Sequence, residues 1–170
     1  MKYLLKMSYL GCDYHGFQIQ DNAKTIAGTL KKSCETLFNA PCTIQGCSRT
    51  DTGVHALVYF AACEVNGGNL VPCERIPYAL NHLLPSDISV SDCFNVSDDF
   101  NPRHTEYKEY RYIVHNSPFK DPFLHKRAVR VPDKIDEKLL DKEAKAFIGT
   151  HDFSSFMATG SPVNTTGRTI

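Results

Sequence analysis

The sequence predicts an α+β protein whose first hundred residues run strand, helix, strand, strand, helix, strand. Three observations carry that expectation: a β-prone apolar opening, two segments with helical spacing of apolar residues, and turn residues placed between them. Residues 3–10, Tyr-Leu-Leu-Lys-Met-Ser-Tyr-Leu, read as the first strand, followed by a loop from Gly11 to Gly16. Thr25 is a good N-cap, and Ile26, Leu30, Cys34, Leu37 and Phe38 fall on one face of the helix it opens. Cys42–Cys47 and Leu57–Val65 read as strands, the second closed by the turn Asn66-Gly67-Gly68-Asn69. A short helix runs over Ile76–Leu84, entered near Pro77 and stopped by Pro85, and Ile88–Phe94 is a fourth strand. This order matches the ferredoxin-like arrangement, an antiparallel sheet with its helices on one face.

Beyond residue 100 the pattern is sparser. Tyr110–Val114 alternates as a strand, and Ile135, Leu139, Leu140, Ala144, Phe147 and Ile148 outline a helix that Gly149 ends. Ser161–Arg168, rich in Ser, Thr, Pro and Gly, reads as loop. The expected organisation is a ferredoxin-like domain over 1–100 and the start of a second, similar α/β domain over 101–170. The stop at Thr169-Ile170, where a β-prone pair begins, reads as a truncation.

Composition bounds the function classes. With 42% hydrophobic and 22% charged residues, the chain is an ordinary globular sequence. It has no apolar run near the ~18 residues of a membrane span and no signal-peptide pattern, so no membrane partner and a cytoplasmic location are expected. The seven cysteines are odd in number and include no Cys-x-x-Cys pair, which favours buried reduced thiols over disulfides or zinc. Net charge is zero, yet the stretch from Arg103 to Arg130 holds seven basic and three acidic residues. Such a local basic patch suits RNA contact and also suits a solvated face.

The densest group of chemically able residues is Ser48-Arg49-Thr50-Asp51-Thr52-Gly53-Val54-His55-Ala56, on the connection between two predicted strands. Arg49 stands two residues from Asp51, and a nearby cation favours the ionised carboxylate. Read locally, the same residues make a hairpin turn, with Asp and Gly supplying the turn chemistry. Asp-Thr-Gly also occurs in aspartic proteases, where two carboxylates share a proton. Those proteases are almost all β, whereas three helical patterns run through this chain.

The whole nonapeptide resembles the signature of the TruA-type tRNA pseudouridine synthases, Gly-Arg-Thr-Asp-x-Gly-Val-His-(Ala/Gly), with Ser48 in place of the first Gly. Five further segments resemble that family's motifs in the same order. They are Tyr14-His15-Gly16-Phe17-Gln18, Tyr78-Ala79-Leu80-Asn81 with Leu84-Pro85-Ser86-Asp87-Ile88, Phe100-Asn101-Pro102-Arg103, Tyr110-Arg111-Tyr112, and His151-Asp152-Phe153-Ser154-Ser155-Phe156.

The resemblance implies conversion of uridine to pseudouridine in the anticodon stem-loop of tRNA (uridines 38, 39 and 40), without cofactor or metal, by a homodimer. It implies Asp51 as nucleophile, Arg49 as its motif partner, and Tyr110 as the tyrosine that stacks on the base. Residues implied in substrate binding are Tyr110, His55, Gln18, Phe17, Arg103 and Arg111. A ferredoxin-like RNA-binding module without chemistry is the alternative.

Overall fold

The computed structural model describes residues 1–157 and 165–170, which form two compact units, Met1–Arg111 and Tyr112–Ile170. In the first unit, β1 (Lys2–Tyr9) alternates strictly, with Tyr3, Leu5, Met7 and Tyr9 buried and the residues between them half-buried. That period of two commits one face of the strand to the core. β2 (Cys42–Gly46), β3 (Ala56–Val65) and β4 (Ile88–Val96) complete a four-stranded sheet of order β2-β3-β1-β4, with every neighbouring pair antiparallel. α1 (Ile26–Phe38) and α2 (Ile76–Leu83) pack against the sheet and against each other.

Local sequence explains both helices. Thr25, extended at φ −127°, accepts a hydrogen bond from the Gly28 amide at 3.2 Å and so caps α1. Ile26, Ala27, Leu30, Cys34 and Phe38 are buried on one face, and the Phe38 ring stacks on Tyr3 at 5.5 Å. Asn39, at φ 51°, ends the helix in the left-handed conformation that Asn tolerates. Pro77 lies in the first turn of α2, where its missing N–H costs nothing. Asn81 then ties the helix to the sheet, donating to the Val90 carbonyl at 2.8 Å and accepting from the Val90 amide at 2.9 Å. The six elements of this unit fall within one or two residues of their expected limits.

The second unit departs from expectation. The strand expected over Tyr110–Val114 begins only at Val114, as β5 (Val114–Asn116), because a ladder needs a neighbour and β6 (Val129–Val131) supplies one, in parallel, only from there. The expected helix is α3 (Glu137–Ala144), capped by the Asp136 side chain on the Leu139 amide at 3.0 Å and followed by a 3-10 turn over Lys145–Phe147. Gly149 still marks its end, with φ at 112°. β7 (Thr150–Asp152) and β8 (Gly167–Thr169) form an antiparallel pair, so Gly167 and Arg168 lie in a strand and not in the expected loop. Thr165 and Thr166 have no regular structure, as expected, and residues 161–164 of that loop expectation lie outside the described residues. Phe147, Phe153 and Phe156 form a small aromatic cluster, with ring centroids 5.8–6.3 Å apart.

All seven cysteines are free, but only Cys34, Cys42 and Cys63 are buried; Cys12, Cys47, Cys73 and Cys93 are half-buried. Among the described residues, no helix is long and apolar enough to cross a membrane.

Candidate active site

The connection from β2 to β3 carries Ser48–His55, and its conformation is held almost wholly by neighbours from elsewhere in the chain. Beneath it, the buried Tyr59 hydroxyl donates to the Ser48 carbonyl and receives the Ser48 amide at 3.4 Å. The buried Tyr9 hydroxyl meets the Thr50 hydroxyl at 2.8 Å. Tyr59 packs on Phe17 at 4.6 Å and edge-on to Tyr9 at 5.5 Å, so three aromatic rings form the floor. Burial pushes the Tyr9 hydroxyl up to about 12 and raises Tyr59 as well, so both stay protonated and able to donate.

From the side, the segment after β1 presses against the loop. The Phe17 amide donates to the Thr50 carbonyl at 3.0 Å, and the Gly53 amide to the Tyr14 carbonyl at 3.4 Å. Gly16 allows this approach, since a Cβ there would stand 2.6 Å from the Thr50 oxygen and φ is 80°. Tyr14 is itself anchored, its hydroxyl donating to the Asp87 carboxylate at 2.7 Å while the Lys24 ammonium lies 4.4 Å above its ring. Burial, then the hydrogen bond and charge of Asp87, push the Tyr14 hydroxyl up. Three of the sequence motifs, joined by contacts up to 73 residues apart, thus converge on one place.

Asp51 sits at the crest. Its carbonyl accepts from the Val54 amide at 3.2 Å, closing a tight turn whose Gly53 has φ 81°. The Asp51 and Arg49 side chains are exposed, and the described ion pairs do not join them. His55 accepts the Gly11 amide on Nδ1 at 3.0 Å, which places the proton of a neutral ring on Nε2.

Beside the loop lies a cavity of about 270 Å³ lined by Phe17, Gln18, Gln45, Ser48, Arg49 and Arg103, among others. It brings together four of the expected residues: Phe17, Gln18, Arg49 and Arg103. Two guanidinium groups and two carboxamides around an apolar floor can receive a planar, polar group and an adjoining anion.

Tyr110 and Arg111 are not among the residues that line it. Tyr110 is 70% exposed in a stretch without regular structure, and Arg111 pairs with Glu109. Sequence reasoning missed Gln45 and Asn101. Asn101 accepts the Arg103 amide at 3.0 Å and the Gln45 carboxamide at 3.3 Å, and so seats Arg103 at the cavity. The Asn-Pro pair at 101–102 was the available signal, being a common turn opener. Tyr9 and Tyr59 were also missed, because an inward Tyr on a strand has the same period as any core residue. Among the described residues, no group of three or more His, Cys, Asp and Glu side chains is placed to hold a metal ion.

No family model matches the chain. Curated proteins do. It is 41% identical to a tRNA pseudouridine synthase A of Acetivibrio thermocellus over 167 residues, which is 98% of this chain and 68% of that protein. It is 37% identical to one of Ruminiclostridium cellulolyticum, over 99% of this chain and 69% of the relative. A Thermoanaerobacter relative of the same name is 38% identical over 98% of this chain and 68% of its own length. With nearly the whole chain aligned at this identity, the chain belongs to the tRNA pseudouridine synthase A family of isomerases.

Proposed function

We propose that the chain isomerises uridine to pseudouridine in the anticodon arm of tRNA, at uridines 38, 39 and 40, with Asp51 as nucleophile and no cofactor. The observation that carries this reading is the Asp51 crest, braced on two sides and standing beside a cavity with Arg49 and Arg103 on its wall.

The reaction breaks the C1′–N1 bond of uridine, turns the uracil, and joins its C5 to C1′. An ionised carboxylate can capture either C1′ of the ribose or C6 of the base, and both routes use the same oxygen nucleophile. The proton on C5 must then leave to a positioned base, the role we give to Tyr110. A stacked uridine cannot reach Asp51, so the nucleotide is extruded at a cost of a few kcal/mol. Arg49 then fills the vacated space, while Arg103 and Arg111 hold phosphates, Phe17 and Gln18 shape the cavity edge, and His55 contacts the substrate from the loop. Tyr110 reaches the base only if the stretch around it folds over the cavity when RNA binds.

The strand order β2-β3-β1-β4 supports a ferredoxin-like reading of residues 1–100, with 101–170 as part of a second α/β domain. We place the enzyme in the cytoplasm, acting as a homodimer on RNA that spans both subunits. The chain spans 68% of the Acetivibrio relative, and we expect its turnover alone to fall well below that relative's.

Tritium release from tRNA carrying C5-tritiated uridine tests the reading. The Acetivibrio relative and this chain are assayed side by side, each also with its motif aspartate changed to Ala (Asp51→Ala here). Release by the unaltered proteins that falls at least about a thousandfold in the Ala variants supports Asp51 as nucleophile. Release that survives the change overturns that role, and tRNA binding without release in every protein favours the binding-module reading. Equal rates for chain and relative would refute the expected shortfall.

A further inference from the structure

Two of the seven thiols stand apart from the others in how they are placed. The Sγ atoms of Cys73 and Cys93 lie 3.0 Å apart, with the Cys73 thiol donating. Cys73 opens the 3-10 turn that leads into α2, and Cys93 lies on β4, the outermost strand on its side of the sheet. Cys93 is paired in register with the buried Leu5, so its side chain shares the helix-covered face. Both residues are half-buried, packed at the margin of the core and not within it. The other clustered thiols differ on this point: Cys34, Cys42 and Cys63 are all buried.

We propose that Cys73 and Cys93 are an oxidation site that closes into a reversible intramolecular disulfide in the presence of a low-molecular-weight disulfide such as oxidised glutathione. The chemistry needs little backbone movement, because a disulfide requires the sulfurs to approach to about 2.0 Å from an existing contact. The Cys73 thiolate attacks one glutathione sulfur and expels a glutathione thiolate. The Cys93 sulfur then attacks the Cys73 side of the mixed disulfide and expels the second glutathione. The pair loses two electrons and two protons, and the glutathione disulfide is reduced to two thiols. Burial pushes the Cys93 thiol up.

The bond would fasten the connection after β3, where Gly67 and Gly68 both have positive φ, to the edge of the sheet. It would leave the Asp51 loop alone. Ile88 is the β4 residue paired with Tyr9, and Leu5, the partner of Cys93, lies four residues away along β1, about 13 Å at the rise of a strand. The device therefore acts on stability and not on the site.

The test treats the reduced, folded chain with oxidised glutathione and follows intact mass and thermal unfolding. The expected product has lost two hydrogens and kept no glutathione. Trypsin leaves Cys63 and Cys73 on one peptide, so a glutamate-directed protease, which cuts after Glu64, is used to show the Cys73–Cys93 link. The oxidised chain should melt higher by about 5 °C, and dithiothreitol should reverse both changes. Cys73→Ser, at a half-buried turn, should fold, show no mass loss and no shift in melting. A lasting glutathione adduct on either cysteine, a link between other cysteines, or no oxidation at all would overturn the proposal.

Discussion

The two units of this chain use apolar residues very differently. In Met1–Arg111 a single core takes in Leu5, Met7, Ile26, Leu30, Phe38, Ile76 and Leu80, each at most 1% exposed. In Tyr112–Ile170 none of the described residues is buried, and Leu139, Leu140, Ile148 and Phe156 are all more than half exposed. Both regions contain helices with an apolar stripe and strands with β-prone residues. What separates them is cover. An amphipathic element has a stable home only where a second layer removes its apolar face from water, and this second layer is present over one unit alone.

The largest expected effect breaks the comparison if the two units are in truth alike. Leu30→Ala, which empties a fully buried site, should cost about 3 kcal/mol in chemical denaturation, whereas Leu140→Ala should cost under about 0.5 kcal/mol. Equal costs would mean that α3 is as firmly packed as α1. A second measurement uses pH. Tyr9 is raised from 10 to about 12 by burial, and a protonated tyrosine is neutral, so its stabilising share is complete below pH 10. It is lost as pH rises from 10 to 12 and amounts to about 2–3 kcal/mol. The near-ultraviolet signal of the first unit should therefore collapse in that window, and Tyr9→Phe should weaken the pH dependence. A signal that persists to pH 12 would contradict the burial. The smallest effect compares the caps. Thr25→Ala should lower stability by about 1 kcal/mol, and Asp136→Ala should do so by a few tenths, since a helix without packing transmits little of its cap energy to the whole. Equal losses would again place α3 within the cooperative core.

The same difference governs what the sequence made legible. Thr25, Pro77, Pro85 and the β-prone apolar run of residues 3–10 are local signals, and they located the first unit's elements to within a residue or two. In the second unit the local signals were sparser, and a strand is defined by its partner. Nothing in Tyr110–Ile113 says that pairing waits until Val114, and nothing in Gly167-Arg168 says that Thr150–Asp152 will pair with it. The site divides in a similar way. The residues of the Asp51 loop and of Tyr14–Gln18 stand out as motifs, and Phe17, Gln18, Arg49 and Arg103 do meet at one cavity. Gln45 and Asn101 enter through contacts fifty-six residues apart, which no window of sequence reveals.

Thr50 is held at both ends, its carbonyl taken by the Phe17 amide and its hydroxyl by Tyr9, while the next side chain, Asp51, stands in solvent. The arrangement resembles a clamped base carrying a free pointer. All the torsions that set where the carboxylate is rooted are frozen during folding, and two side-chain rotations remain. A substrate that docks beside the loop has only those two to arrest, at about 1 kcal/mol. Small differences in the shape of the incoming nucleotide are thus enough to decide whether the oxygen is aimed or idle.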